Sequence, residues 1–178
     1  HNISAVLRTC DAIGIPEIYL LVTDDRIGDR IELGKRASAG ARKWVDVHLY
    51  HDLNKCFKDI KEKYKRIAGT HLSSDSIRIH EVEFTQSIAI VLGNEHEGLS
   101  QKTLDYLDMN IIIPQFGMVQ SLNISVACAV TLYEAARQRI SKGMYDQKEF
   151  DSAKWNLRNE YIERHIQKHK GNNLLPGI

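Results

Sequence analysis

Several signals that would mark a secreted, membrane-bound or metal-dependent protein are missing from this sequence. It contains no signal-peptide pattern and no apolar run of the roughly 20 residues that a membrane-spanning helix needs. The three cysteines, Cys10, Cys56 and Cys128, are an odd number without metal-ligand spacing, and the eight histidines share no such spacing. We therefore expect a cytoplasmic protein with small buried thiols, no membrane partner and no metal site.

Two common phosphate-binding motifs are also missing. There is neither a glycine-rich dinucleotide fingerprint nor a phosphate-loop lysine motif. No long linker or low-complexity stretch interrupts the 178 residues, of which 43% are hydrophobic and 26% charged. These values are typical of one globular domain that is long enough to form a hydrophobic core.

The net charge of +1 does not by itself indicate a nucleic-acid-binding protein, but the basic residues are clustered. Residues 137–170 hold nine basic against five acidic side chains, and residues 26–43 hold six against two. Such clusters are candidate phosphate-contact patches. For any single lysine, a solvated helix face is the simpler interpretation.

Helix-like and strand-like segments alternate along the chain. Helical periodicity predicts helices at residues 3–13, 51–66, 100–107 and 122–139, and another from about 146 to 170. Apolar and β-branched runs predict strands at residues 17–22, 43–48, 67–72, 87–92 and 109–113. This alternation favours a parallel α/β sheet. The predicted inward stripe of the last helix is Phe150, Ala153, Leu157, Tyr161 and Ile166.

The segment 111–139 carries the most informative local pattern. The end of a strand, Pro114 and a polar loop lead into a helix whose first turn carries Ser121, Asn123 and Ser125. Free backbone N–H groups and the positive end of the helix dipole suit an anionic or carboxylate-bearing ligand there. The helix is rich in small residues, so it is either a dimer surface or tightly packed in the core. One stripe of it holds Leu122, Val126, Val130 and Tyr133.

Three separated stretches resemble the motifs of one enzyme family, in the right order. IPQFGMVQSLNISVA, residues 113–127, resembles the third motif of the TrmH family of SPOUT methyltransferases. NISAVLR, residues 2–8, resembles the first motif, an asparagine followed six residues later by an arginine. LGNEHEGLS, residues 92–100, resembles the second motif. The resemblance covers most of residues 2–139.

The resemblance implies a fold, a cofactor and a partner. The expected fold is a SPOUT-type α/β fold, a parallel sheet flanked by helices with a deep C-terminal trefoil knot, which is an exception to ordinary topology. The expected cofactor is S-adenosylmethionine, with S-adenosylhomocysteine as product, and the expected assembly is a homodimer. We expect a methyltransferase domain at residues 1–143, a helical extension at residues 144–178, and a further strand and helix preceding His1.

The resemblance also implies catalytic residues. It puts Arg8 at the catalytic centre, where the family often assigns it the removal of the hydroxyl proton. Arginine is a poor base, so a clamp on a phosphate or stabilisation of the developing alkoxide is easier to defend. Without the resemblance, Arg8 would be interpreted as a helix-surface arginine. The other expected catalytic residues are Asn2, Glu95, Ser121 and Asn123.

The remaining expected contacts lie in three loops and near two helix ends. The loops that follow three strands would bind the cofactor through backbone groups and apolar side chains, and their residues are Thr70, His71, Leu72, Leu92, Gly93, Asn94, Gly98, Ile113, Gln115, Gly117, Met118, Ser121 and Leu122. The expected RNA-binding residues are Arg8, Arg137, Arg139, Lys142 and Arg158.

The substrate expected from the resemblance is tRNA. The third motif continues into YEAARQR and a basic C-terminal helix follows, which most resembles the branch that methylates the ribose 2′-hydroxyl of the D-loop guanosine at position 18. One alternative is a ribosomal RNA 2′-O-methyltransferase of the same family. A second alternative is an RNA-binding module that keeps the fold without activity.

Overall fold

The computed structural model describes residues 2–22, 44–94, 98–119, 121–146 and 152–168. The loop and short basic segment predicted at residues 23–42 therefore lie outside the described residues, as do Glu95 and the side chains of Phe150 and Ala153. In the last helix, the described side chains are those of residues 155–167.

Helices and strands follow the order that the sequence predicts, with one short strand at residues 77–78 that it did not predict. The helices are α1 (Asn2–Ile13), α2 (Leu53–Lys63), α3 (Gln101–Leu104), α4 (Ile124–Ser141) and α5 (Ser152–Lys168). The strands are β1 (Glu17–Leu21), β2 (Asp46–Tyr50), β3 (Arg66–Thr70), β4 (Ile77–Arg78), β5 (Ile88–Val91) and β6 (Met109–Ile112). A 3₁₀ turn spans Ile79–Glu81.

All pairings between these strands are parallel. β1 pairs with β2, and four further strands form a sheet in the order β4-β6-β3-β5. The expected parallel α/β sheet flanked by helices is confirmed. Because parallel strands end at one edge, β3, β5 and β6 bring the loops that follow them to the same edge of the sheet.

The helices α1 and α2 each bury one apolar face. Leu7 of α1 is fully buried and packs with Val45, while Phe57 and Ile60 of α2 pack around Ile67 of β3. The helix α2 begins sharply because Asp52 accepts a hydrogen bond from the Lys55 backbone N–H at 2.9 Å.

The segment between β4 and β5 forms a second core that the sequence pattern did not reveal. Phe84 is fully buried there, beside Ile79 and Val82. The Phe84 N–H donates to Gln138 Oε1 at 3.0 Å, and Gln138 Nε2 donates to the Val82 carbonyl at 2.9 Å. Arg139 Nε donates to the Phe84 carbonyl at 2.9 Å. The C-terminal turns of α4 therefore hold this segment through its backbone groups.

Two predicted features differ from the structure, and the surroundings of a third, the α4 stripe, are ones that the sequence left open between core and dimer surface. The strand predicted at residues 43–48 runs from Asp46 to Tyr50, because residues 44 and 45 form a turn and a bend before it. The stripe of Val126, Val130 and Tyr133 is exposed, since α4 turns Cys128, Thr131 and Ala136 inward. On α5, Leu157 and Ile166 are also exposed in the single chain, whereas Tyr161 is half-buried.

Candidate active site

The three loops expected to bind the cofactor begin side by side. Thr70 ends β3 and Val91 ends β5, and the Thr70 hydroxyl donates to the Val91 carbonyl at 3.4 Å. β6 pairs with the other side of β3, with Ile111 opposite Thr70. The structure therefore brings the starts of the three expected loops, His71, Leu92 and Ile113, to one edge of the sheet.

The loop after β5 is closed on itself by its backbone. Asn94 N–H donates to the Gly98 carbonyl and Gly98 N–H to the Asn94 carbonyl, both at 3.1 Å. Gly98 has a φ of +69°, and a Cβ on Gly93 would lie 2.4 Å from the Gly98 carbonyl carbon. The two glycines are required for the close approach of the two ends of this loop.

The loop after β6 is open in the single chain. Phe116 and Met118 are both 99% exposed, and Gln115 and Gly117 are also exposed. Val119 is 64% exposed. Such a run of exposed apolar side chains is a candidate contact surface for another molecule.

The first and third motifs meet at the N-termini of α1 and α4. Asn123 Nδ2 donates to Asn2 Oδ1 at 3.3 Å. The Asn123 Oδ1 caps α4 by accepting from the Ser125 N–H at 2.9 Å and from the Ser125 hydroxyl at 2.6 Å. Asn123 is therefore both the cap of α4 and the hydrogen-bond partner of Asn2. Ser121 lies two residues before it and is exposed.

Arg8 is exposed on the outer face of α1. Its neighbours Leu7 and Cys10 point into the core, so the helix holds the arginine on the opposite side. No residue that the structure describes forms a hydrogen bond or ion pair with its guanidinium. A fixed positive charge with five donors is thus available to a phosphate or a developing oxyanion.

The other expected RNA-binding arginines have partners within the chain. Arg137 donates to both oxygens of Glu134, at 2.8 and 2.9 Å, and these hydrogen bonds lower the pKa of Glu134 to about 2. Arg139 donates to the carbonyls of Phe84 and Gln86. Lys142 is exposed. Arg158 lies 5.1 Å from the ring centre of Trp155, a cation–π contact.

Sequence reasoning missed one polar residue near this edge of the sheet. Asn110 lies in the middle of β6, opposite Gly69, and hydrogen-bonds to Asp75 in the loop after β3. Its Oδ1 is buried and has no hydrogen-bond partner among the described residues. The available signal was a single amide within an otherwise apolar strand.

The described residues include neither a membrane-spanning helix nor a metal-binding group. No helix among them has the length and apolar character needed to cross a membrane. In the same part of the chain, no three histidine, cysteine or acidic side chains are grouped so that they could hold a metal ion.

Solved structures of SpoU-type enzymes share this fold. The Aquifex aeolicus TrmH/SpoU tRNA modifying enzyme matches with a TM-score of 0.80 and 32% identity, over 95% of this chain and 83% of that one. The SpoU methyltransferase AviRb from Streptomyces viridochromogenes, in complex with AdoMet, matches with a TM-score of 0.68 and 27% identity, over 79% and 56%.

Comparison of the sequence with known families identifies the particular family. The model of the SpoU rRNA Methylase family matches residues 1–133, and the chain belongs to this family. The tRNA (guanosine(18)-2′-O)-methyltransferase of Escherichia coli K12 is 40% identical over 145 residues, which is 82% of this chain and 62% of that protein. The chain therefore spans about three-fifths of the length of that relative. The family expected from the three motifs is confirmed.

Proposed function

We propose that this chain transfers a methyl group from S-adenosylmethionine to the ribose 2′-hydroxyl of the D-loop guanosine at position 18 of tRNA. The Escherichia coli relative is named for this reaction. The observation that carries the proposal is the hydrogen bond between Asn2 and Asn123, because it joins the first and third motifs beside the helix that carries Arg8. The cytoplasm, where tRNA is modified, is the proposed site of action.

The cofactor fits the edge of the sheet where the three loops begin. An adenine and a charged amino-acid group need apolar neighbours and backbone hydrogen-bonding groups, and Leu72, Met118 and the glycine-closed loop supply both. When bound, the cofactor supplies the methyl group on a positively charged sulfur. The chain's own task is to hold this donor in line with the ribose hydroxyl, since positioning alone contributes several kcal/mol to such a reaction.

Arg8 acts on the acceptor side of the proposed reaction. Its guanidinium stabilises the alkoxide that forms as the hydroxyl loses its proton, or it holds the adjacent phosphate through a bidentate contact. Direct removal of the proton by Arg8 is the less favourable role, because arginine retains its own proton at neutral pH. Asn2 and Asn123 position the ends of α1 and α4 around it, with Ser121 and Glu95 completing the proposed site.

Two features support the proposed homodimer and knot. The exposed fractions of Val126, Val130 and Tyr133 are 46%, 38% and 58%, which is an apolar stripe without cover along α4. A second copy of the chain would bury this stripe. In the sheet, β6 lies between β3 and β4 although these two strands are adjacent in the chain, which is consistent with a threaded C-terminal segment.

The domain division and RNA surface are part of the same proposal. Residues 1–143 form the methyltransferase domain, and residues 144–178 form an extension whose helix α5 docks back through a 2.9 Å ion pair between Arg164 and Asp46. Arg8, Lys142 and Arg158 are the proposed phosphate contacts. Arg137 and Arg139 are also proposed RNA contacts. They would use the guanidinium N–H groups that are not engaged in their hydrogen bonds within the chain.

The test is methyl transfer from radiolabelled S-adenosylmethionine to unmodified tRNA, followed by mapping of the labelled ribose. We expect label at the position 18 guanosine and a loss of about 10²–10³ in kcat for Arg8→Ala, the typical effect of removing one electrostatic stabiliser. Arg66→Ala is the matched control, because Arg66 is also an exposed arginine but lies at the opposite end of β3 from the loops. Equal activity of the two variants would contradict the role of Arg8.

Ribosomal RNA is the second candidate substrate, because the matching family model is described as an rRNA methylase family. A fragment of ribosomal RNA in the same assay distinguishes the two. Label only in that fragment would identify ribosomal RNA as the substrate and leave the proposed mechanism unchanged. Donor binding without label in either RNA would favour an inactive RNA-binding module.

A further inference from the structure

A cavity of about 240 Å³ lies at the C-terminal end of α1, the end opposite Asn2, between that helix, the start of β2 and α5. Asp11, Gly14, Ile15, Trp44 and Tyr161 line it. Cavities that hold drug-sized ligands measure about 300–1,000 Å³. The cavity therefore suits something smaller, and its aromatic walls favour a flat ring system.

The aromatic walls are fixed by bonds to the rest of the fold. The rings of Trp44 and Tyr161 are 5.2 Å apart at an angle of 69°, an edge-to-face contact. The Tyr161 hydroxyl donates to the Trp44 carbonyl at 2.7 Å. Arg164 of the same helix binds Asp46 at 2.9 Å, which holds α5 against β2. A ligand would meet walls that are already in position, so little ordering is needed on binding.

The polar group of the cavity is the carboxylate of Asp11. It bonds to no residue that the structure describes, although the Asp11 backbone carbonyl accepts from the Gly14 N–H. Burial raises the pKa of the Asp11 carboxyl, so this group is partly removed from water. A carboxylate presents two acceptor oxygens side by side, and two neighbouring N–H donors on a ligand are its natural complement.

Asp11 and Arg8 are neighbours on α1. They are three residues apart and both are exposed, so they share the outer face of the helix with Cβ atoms about 5–6 Å apart. The cavity therefore opens one helical turn from the arginine of the proposed active site. An RNA strand whose ribose or phosphate contacts Arg8 has a base within reach of the cavity.

We propose that this cavity is a guanine subsite for the RNA substrate, in which the base lies against Trp44 and Tyr161 while Asp11 accepts hydrogen bonds from its N1–H and 2-amino groups. Guanine alone among the four bases offers two adjacent donors on its Watson–Crick edge. Adenine and cytosine place a ring nitrogen acceptor beside their amino group. This acceptor would face a carboxylate oxygen, and two acceptors repel each other. Aromatic contact with hydrogen bonds to the Watson–Crick edge is how enzymes recognise a base that is taken out of a stack. The inference rests on the proposed function only in taking RNA as the ligand.

The test uses the fluorescence of Trp44. The chain has two tryptophans, so Trp155→Phe leaves Trp44 as the only one. In this background, guanosine monophosphate is titrated without cofactor, and inosine and adenosine monophosphates are titrated in parallel. We expect saturable quenching by guanosine monophosphate, with affinity about tenfold or more weaker for the other two nucleotides, because each lacks the paired donors.

Asp11→Asn removes the charge and one acceptor with little change in size. It should weaken guanosine monophosphate about tenfold or more and remove the preference over inosine monophosphate. Asp105→Asn is the matched control, because Asp105 is an exposed aspartate at the end of α3, and it should change nothing. An unchanged circular dichroism spectrum shows that each variant is folded.

Two outcomes overturn the inference: equal quenching by guanosine and adenosine monophosphates, or unchanged guanosine monophosphate binding in Asp11→Asn. The titration needs neither cofactor nor methyl transfer. A failure of the proposed guanine subsite can therefore be told apart from a failure of the proposed methyl-transfer reaction. Preserved nucleotide preference in a chain that methylates no RNA would uphold the subsite and refute the proposed reaction.

Discussion

The side chain of Gln138 offers a direct test of how the fold supports the site. It donates to the Val82 carbonyl and accepts from the Phe84 N–H, and both of those residues are buried. The substitution Gln138→Leu keeps a similar volume and removes both hydrogen bonds, together with the one that Gln138 Nε2 donates to Glu134 Oε1 at 2.9 Å. The donor of Phe84 and the acceptor of Val82 are then left without their amide partner inside the core.

The expected magnitude follows from those two groups. A buried donor or acceptor that loses its partner costs about 1–3 kcal/mol. Two such groups, relieved in part by the added apolar contact of leucine, give an expected loss of about 2–4 kcal/mol in the free energy of unfolding. That is a large share of the roughly 5–15 kcal/mol by which ordinary domains are stable.

Urea unfolding at one fixed protein concentration measures the difference, since a dimer would make stability depend on concentration. The matched control is Arg137→Leu, one residue earlier. Its bond to Glu134 joins residues three apart on an exposed face, and such pairs contribute about 0.2–1 kcal/mol. A Gln138→Leu loss no larger than that of Arg137→Leu would refute the reasoning.

Three further predictions follow from single positions. Gly98→Ala forces a side chain into a φ of +69° and should lower the free energy of unfolding by about 1–2 kcal/mol and weaken cofactor binding by calorimetry, whereas Gly117→Ala, with nothing within 4 Å of its new methyl group, should leave the free energy of unfolding unchanged. Burial of Glu17 opposes its ionisation, but hydrogen bonds from Lys63, Tyr64 and His48 outweigh burial and lower its pKa. The contribution of ionised Glu17 to stability is therefore present above its unfolded pKa near 4.5 and is lost as pH falls through the folded pKa. In Glu17→Gln, the free energy of unfolding should depend less on pH in the acid range. An unchanged pH dependence would contradict this. Val130→Arg should yield a monomer by light scattering at micromolar concentration if the α4 stripe is the dimer surface, and an unchanged mass would exclude that surface.

The elements that the sequence predicted well are those whose signals are local. Apolar and β-branched runs gave strands such as β3 and β5 to within two residues at either end. The helix predicted from residue 100 begins at Gln101, where Ser100 caps it by accepting from the Thr103 N–H at 3.2 Å. The family motifs identified the three loops, and the parallel sheet confirms that these loops start at one edge.

The features that escaped prediction depend on residues far apart in the chain. Phe84 lies in a short polar segment without periodicity, and its burial depends on Gln138, 54 positions later. The helix α4 is apolar or small-sided on two faces, so periodicity alone could not decide between Val130 outward and Thr131 inward. Arg137 and Arg139 stand in one short motif, yet Arg139 binds backbone carbonyls that a sequence pattern cannot locate.

The small residues of α4 connect core packing to the proposed chemistry. The Cys10 thiol of α1 and the Cys128 thiol of α4 are buried against one another and hydrogen-bonded, a contact that bulkier side chains would not allow. The same two helices carry Asn2 and Asn123 at their N-termini, where the amides meet at 3.3 Å. A change in the spacing of the helices at Cys128 would move these amides apart by a similar amount, because a packed helix moves as a rigid element. One face of this slim helix therefore packs in the core, and the exposed stripe of Val126, Val130 and Tyr133 is the surface proposed for the dimer.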